Sequence, residues 1–254
     1  MIPRVSAILV AMLLAPGALW AAEPVRVLAA FTLKPALDAI GETYRGGGAA
    51  VTLVYGPSPT LAEQVENGLA ADLFFSADPA WTEELAKHRL IRPDSLTELL
   101  SNDLVLVARK GTAKPVSIGR DTDIAALIGK GPVAMCDPGG HPAGRMARAS
   151  LTTLGQWTKV QKKVAIAENP LAAVALVAKG GAPFAIVFRT DALTDPDVET
   201  VGTFPPESHP SIRYPVAILA KSANPDAAKF LLYLKSAAAR DIFKRFGYTT
   251  LGTP

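Results

Sequence analysis

Between Val51 and Gly68 the spacing of apolar residues changes once, and the change marks a strand handing over to a helix. Val51, Leu53 and Tyr55 alternate with Thr52 and Val54, after which Leu61, Val65 and Leu69 recur at helical spacing. The turn between them, Gly56-Pro57-Ser58-Pro59, puts Ser58 where an N-cap is expected, and Gly68 is the expected C-terminal stop. Glu63 suits the helix dipole. A helix that starts this abruptly presents backbone N–H groups and one hydroxyl to an anion. Taken alone, the stretch is also that of any α/β protein in which Ser58 caps its helix and nothing more. Repetition is what separates the two readings.

Val25 to Ala30 is a continuous apolar strand, and Leu33, Leu37 and Ile40 give the next helix its face, with Thr32 as its expected N-cap. Gly46 to Gly48 close that helix. Asp72 to Ser76 is a third short apolar run, followed by Asp78-Pro79 opening a helix through Trp81, Leu85 and Leu90. Leu104 to Ala108 is a buried strand, with a polar loop to Asp123. A second alternating set follows: strand Pro132 to Cys136, turn DPGGHPAG, helix Arg145 to Leu154, strand Val164 to Ala167, turn ENP, helix Leu171 to Ala178 and strand Phe184 to Phe188. Tyr214 to Ala220 is extended. Two amphipathic helices, Pro225 to Lys235 and Ala237 to Phe246, end at Gly247. This alternation predicts an α/β fold of mixed, mainly parallel sheets with helices on both faces. The extended joins predict two lobes: 23–103 plus 215–254, and 104–214. Ligands of such sheets lie at the carboxyl ends of strands.

Composition narrows the function. The chain has 254 residues with 49% apolar content, enough for a large core. Its net charge is +3, acidic and basic residues are interspersed, and only 7% of residues are aromatic, so nucleic acid is not an expected partner. The opening MIPRVSAILVAMLLAPGALWAAEP carries one Arg, an apolar run and then small residues, the pattern of a cleavable signal peptide over 1–22. The mature chain is therefore expected to be exported. Cys136 is the single cysteine, so no intramolecular disulfide is available, and its apolar neighbours make it a buried core residue. His88, His141 and His209 share no metal-ligand spacing, and no metal or cofactor is expected.

The motifs VLAAFTLKPALDAI, VYGPSPTLAEQVENGLAADLFFSADPAW, LLSNDLVLVA, DPGGHPAGRMA, FAIVFRTDAL, YPVAIL and IFKRFGYT, in that order, resemble the periplasmic molybdate-binding proteins of ATP-driven importers. The resemblance spans nearly the whole mature chain and implies the two-lobe type II periplasmic-binding-protein fold. It also implies a periplasmic, non-enzymatic monomer that captures molybdate or tungstate and delivers it to an ABC permease and its ATPase. The family holds its oxyanion with hydroxyls and backbone N–H groups. The first-loop serine corresponds to Thr32, the second-loop serine to Ser58, and the donor after the DP turn to Ala143. Two positions depart. Pro170 stands where the family supplies an N–H, and proline has none. Phe188 stands where it supplies a tyrosine hydroxyl. At about 1.5–3 kcal/mol per hydrogen bond to a charged group, the two losses correspond to about two to four orders of magnitude in affinity. The Leu171 N–H is one candidate replacement, with water, Arg189, Lys34 and His141 as others. Phe31 is bulkier than the family's small residue beside Thr32.

Two alternatives stay open. One keeps the fold with a different oxyanion or a small organic anion. The other is a hydrolase in which Gly56, Ser58 and Thr60 approximate a nucleophile elbow, with His209 and Asp191 as formal partners. The flanking prolines and Thr60 count against that turn. GGHPAGRM similarly lacks the Lys and Ser/Thr of a phosphate loop.

Overall fold

The computed structural model describes residues 23–45 and 50–252, so the signal segment and the Gly46 to Gly48 stop lie outside the described residues. In chain order the strands are β1 (Val25–Ala30), β2 (Val51–Gly56), β3 (Leu73–Phe75), β4 (Thr97–Ser101), β5 (Leu104–Arg109), β6 (Val133–Cys136), β7 (Val164–Ala167), β8 (Phe184–Phe188), β9 (Val198–Thr203), β10 (Arg213–Ile218) and β11 (Thr249–Thr250). The helices are α1 (Lys34–Arg45), α2 (Ser58–Glu66), α3 (Pro79–Lys87), α4 (Ile124–Ile128), α5 (Pro142–Thr153), α6 (Trp157–Val160), α7 (Pro170–Ala178), α8 (Arg189–Ala192), α9 (Ala227–Leu234) and α10 (Ala237–Arg245). A short 3₁₀ turn, Phe31–Leu33, joins β1 to α1.

The strands form two sheets: one of six in the order β11-β4-β10-β3-β1-β2, one of five in the order β7-β6-β8-β5-β9. In the first, β1 runs parallel to β2 and β3, while β10 and β11 are antiparallel to their neighbours. In the second, β6 runs parallel to β7 and β8, and β5 is antiparallel to β8 and β9. Both sheets are mixed, each built around a parallel trio. The inner strands β3, β6 and β8 read as unbroken apolar runs because both of their faces are covered, whereas the edge strands β2 and β7 are only partly buried. Phe74 and Phe75 of β3 and Ile186 and Val187 of β8 are fully buried although successive side chains point to opposite faces. The chain passes between the sheets after Ser101 and again between Thr203 and Arg213, and one hydrophobic cluster runs through both halves.

The structure corrects the reading at several helix starts. Ser58 is the first residue of α2, and Pro57, which has no side-chain acceptor, is the cap. Thr32 sits inside the 3₁₀ turn with Ala30 as its cap, so it is not an N-cap either. α5 begins at Pro142 rather than Arg145. α9 begins at Ala227 rather than Pro225.

Candidate functional site

In the six-stranded sheet the register sets two candidates side by side. Ala30 pairs with Gly56, so the Thr32 and Ser58 turns leave adjacent parallel strands at the same end. Ser58 is nearly buried, and its hydroxyl oxygen accepts the Ala77 N–H at 3.1 Å from the β3–α3 turn. That bond fixes the oxygen and leaves the hydroxyl proton free to donate. The Ser76 hydroxyl in turn donates to the Asp78 carbonyl at 2.7 Å, bracing the turn that holds Ser58. Thr32 is exposed, and its carbonyl accepts the Tyr248 hydroxyl at 2.6 Å.

The five-stranded sheet repeats the arrangement with two capped helices. Cys136 of β6 pairs with Ala167 of β7, and beyond them α5 and α7 both start with proline at the first helical position. Pro170 is therefore well placed for helix geometry and supplies no donor. The Asn169 side-chain oxygen accepts the Ala172 N–H at 2.9 Å, which leaves the Leu171 N–H uncapped. Ala143 differs. Its N–H donates to the Nδ1 of His141 at 3.2 Å, so the donor the resemblance implies is already bound by its own helix cap. Gly144 clamps this helix start onto the strand, since a Cβ there would lie 2.2 Å from the Asp137 carbonyl oxygen. Phe188 ends β8 opposite Leu104, its ring almost wholly buried, and its N–H donates to the Asp191 carboxylate at 3.2 Å.

The Thr32 turn and the Phe188 turn, one from each sheet, are joined by contacts. Tyr248, bonded to Thr32, stacks edge-on against Tyr214 with ring centroids 5.2 Å apart. The Asn102 amide donates to the Tyr214 hydroxyl at 3.1 Å and to the Thr190 hydroxyl at 3.0 Å. Asp191, next along, is buried, and desolvation pushes its carboxyl up to about 6, with only the Phe188 N–H pulling it down. Burial, then the Asp191 charge, pushes the Cys136 thiol up to about 12, which agrees with an inert core cysteine.

The charged candidates are engaged elsewhere. Lys34 pairs with Asp38 at 2.7 Å and lies over the Tyr55 ring, and Arg189 pairs with Asp103 at 2.8 Å. No hydrogen bond among the described residues joins Ser58, His209 and Asp191, and the His209 Nδ1 lies 2.9 Å from the Pro210 carbonyl oxygen. A cavity of about 760 Å³ opens away from these turns, among Arg26, Asp72, Lys221 and Asn224. Its Asp72 carboxylate accepts the Arg26 N–H at 2.8 Å and the Ser222 hydroxyl at 2.6 Å, which accounts for it structurally.

Residues 25–249 match the family model of bacterial extracellular solute-binding proteins. The chain is 37% identical to the molybdate-binding protein ModA of Escherichia coli over 89% of its own length and 88% of that protein's. It belongs to the ModA family. A second member, ModA of Haemophilus influenzae, is 36% identical over 90% of this chain and 91% of the other. The substrate-binding domain of a putative molybdenum ABC transporter from Clostridium difficile superposes with a TM-score of 0.83 at 28% identity, covering 90% of this chain and 99% of that one. This family member thus has the two-sheet architecture of its relatives. Against the donor set that the resemblance implies, the chain has no N–H at Pro170 and no hydroxyl at Phe188, and the Ala143 N–H is taken by His141. The last departure left a signal in the sequence, a histidine immediately before Pro142, but only the folded turn reveals which N–H the ring takes.

Proposed function

We propose that the protein is an exported, periplasmic solute receptor that captures a tetrahedral oxyanion, molybdate or tungstate, between two lobes. The lobes are 23–103 plus 215–254 and 104–214. It passes the anion to an ABC permease driven by its ATPase and does no chemistry itself. The observation that carries this reading is the pair of parallel trios, one in each sheet, whose carboxyl ends run into helix starts. The Ser58 hydroxyl and the Leu171 N–H are both left available to donate. A dianion can be buried when several fixed donors replace its water. Thr32, Ser58, Leu171 and, once uncapped, Ala143 are the donors this reading assigns, with Pro170 shaping the turn and Phe188 closing the wall. Phe31 and Leu171, large apolar side chains left 58% and 54% exposed beside these donors, give the closing lobes an apolar rim.

Calorimetric titration of the mature protein with molybdate, tungstate, sulfate, phosphate and chromate tests it. Sub-micromolar binding of molybdate with sulfate excluded is the expected result. A second reading, the same receptor with a different oxyanion or a small organic anion, is favoured by the missing donors at Pro170 and Phe188. Silence toward every tetrahedral anion would replace the first reading with this one.

A further inference from the structure

We propose that His141 is an internal competitor for the ligand, a side-chain cap that must leave the Ala143 N–H before the anion can take it. This rests on the oxyanion reading and deepens it. The geometry sets α5 apart from its partner in the five-stranded sheet, while in α3 the Asp78 carboxylate likewise takes the second helical N–H, that of Ala80. α5 and α7 start alike, with proline first and a polar cap before it, yet the Asn169 cap reaches the third helical N–H and leaves the second free. The His141 cap takes the second, that of Ala143, at 3.2 Å. Ala143 is almost fully buried, and Gly144 presses the turn against Asp137, so the backbone cannot swing its N–H elsewhere.

Other groups of the turn bond one another. The Asp137 carboxylate accepts the Gly139 and Gly140 N–H groups at 3.0 and 2.9 Å, and the Arg145 guanidinium donates to the Gly140 carbonyl at 2.6 Å. Only the imidazole is both half-exposed and bonded to a donor a ligand would use. Burial and then Arg145 hold the imidazole below its ordinary range, with Asp137 opposing, so at neutral pH the Nδ1 lone pair is present to accept. An anion arriving at the start of α5 offers the same N–H a charged acceptor, which is the stronger partner. It wins the bond, and the ring rotates away. The apparent affinity is lowered by whatever the cap bond contributes to the ligand-free state.

The test is His141→Ala in the full mature chain, titrated with molybdate at neutral pH beside the wild type. Thermal unfolding of both ligand-free proteins is measured in parallel. The expected result has opposite signs: the variant binds about two- to tenfold tighter while its ligand-free form melts lower, because one weak hydrogen bond is removed from the ligand-free state alone. In the wild type, the His141 Nδ1 nitrogen resonance shifts on adding molybdate and does not shift on adding an anion that does not bind. Unchanged affinity with a lower melting temperature makes His141 a structural cap and overturns the inference, and weakened binding makes it a direct ligand and also overturns it. Both results leave the oxyanion reading standing. Absence of heat in both proteins removes that reading and the inference with it.

Discussion

At the scale of single residues, Phe188 and Asp191 carry opposite consequences. Phe188 places a ring without a hydroxyl at the end of β8, almost fully buried and adjoining the crossover into β5. Phe188→Tyr adds one donor to a charged ligand, so calorimetry should find molybdate bound about ten- to a hundredfold tighter. No gain would mean the ring does not face the anion. Asp191 is different in kind, since burial lifts its carboxyl from 3.8 to about 6. Between those values the folded chain holds a proton that the unfolded chain has released, so its contribution to stability is full below 3.8 and is lost as pH rises through about 6. Above that the fold carries a buried, singly bonded carboxylate at a cost of about 3 kcal/mol. Asp191→Asn keeps an acceptor for the Phe188 N–H and removes the charge. Denaturant titrations should find it more stable than wild type at about pH 7.5, with the gap closing toward about pH 4. A gap that does not vary with pH would show that Asp191 titrates normally.

At the scale of elements, most of the fold was legible because the inner strands need apolar runs, and such runs survive in the sequence as VLAA, LFF, VAMC and FAIVF. What escaped was β4, β9, β11, α4, α6 and α8. β4, TELLS, buries only its two adjacent leucines, and β9, VETVGT, mixes polar with apolar positions; both are held by neighbours distant in sequence rather than by pattern. Which residues stand at the strand-to-helix turns was legible; the hydrogen bonds that hold them there were not. Ser58, Thr32 and Ala143 were found where helices begin, yet the acceptor role of Ser58 toward Ala77 and the His141 cap on Ala143 depend on turns that pattern cannot resolve. The C-terminal end of α10 was legible down to its stop. Gly247 has a φ of +86°, Tyr248 N–H donates to the Phe243 carbonyl at 3.1 Å and Gly247 N–H to Lys244 at 3.0 Å, the paired bonds of a Schellman ending. A Cβ there would also lie 2.8 Å from Leu193 Cδ1 and 3.4 Å from Thr190 Cα, both of the other half. Gly247→Ala should lower the unfolding free energy by about 1–3 kcal/mol in chemical denaturation, combining left-handed strain with overpacking. A neutral effect would mean that this turn does not hold its left-handed conformation.

At the scale of the whole molecule, the same α8 contact decides where motion can occur. Asn102, in the first crossover, is buried and fully bonded: its amide donates to Thr190 and Tyr214 and its oxygen accepts the Asp103 N–H at 3.0 Å. Arg189 returns the tie, donating its N–H to the Asp103 carbonyl at 2.9 Å. The second crossover is tied to the same edge, since the Ser101 hydroxyl donates to the Ile212 carbonyl at 2.8 Å and the Phe204 N–H to the Leu104 carbonyl at 2.9 Å, so both crossovers are pinned there. The Ser58 turn and the α5 and α7 starts make none of these bonds. A body pinned along one edge closes by rotation about it, and the rotation is driven only if the ligand bonds both halves. On the proposed reading molybdate does so, through Thr32 and Ser58 on one side and Leu171 and Ala143 on the other. Two readouts should then move together. At about a thousand times its dissociation constant the anion adds about 4 kcal/mol to unfolding, seen as a higher melting temperature. Solution X-ray scattering should record a smaller radius of gyration at the same concentration. Stabilisation without contraction would mean that one sheet alone holds the anion, and the two sets of helix starts would then belong to separate surfaces.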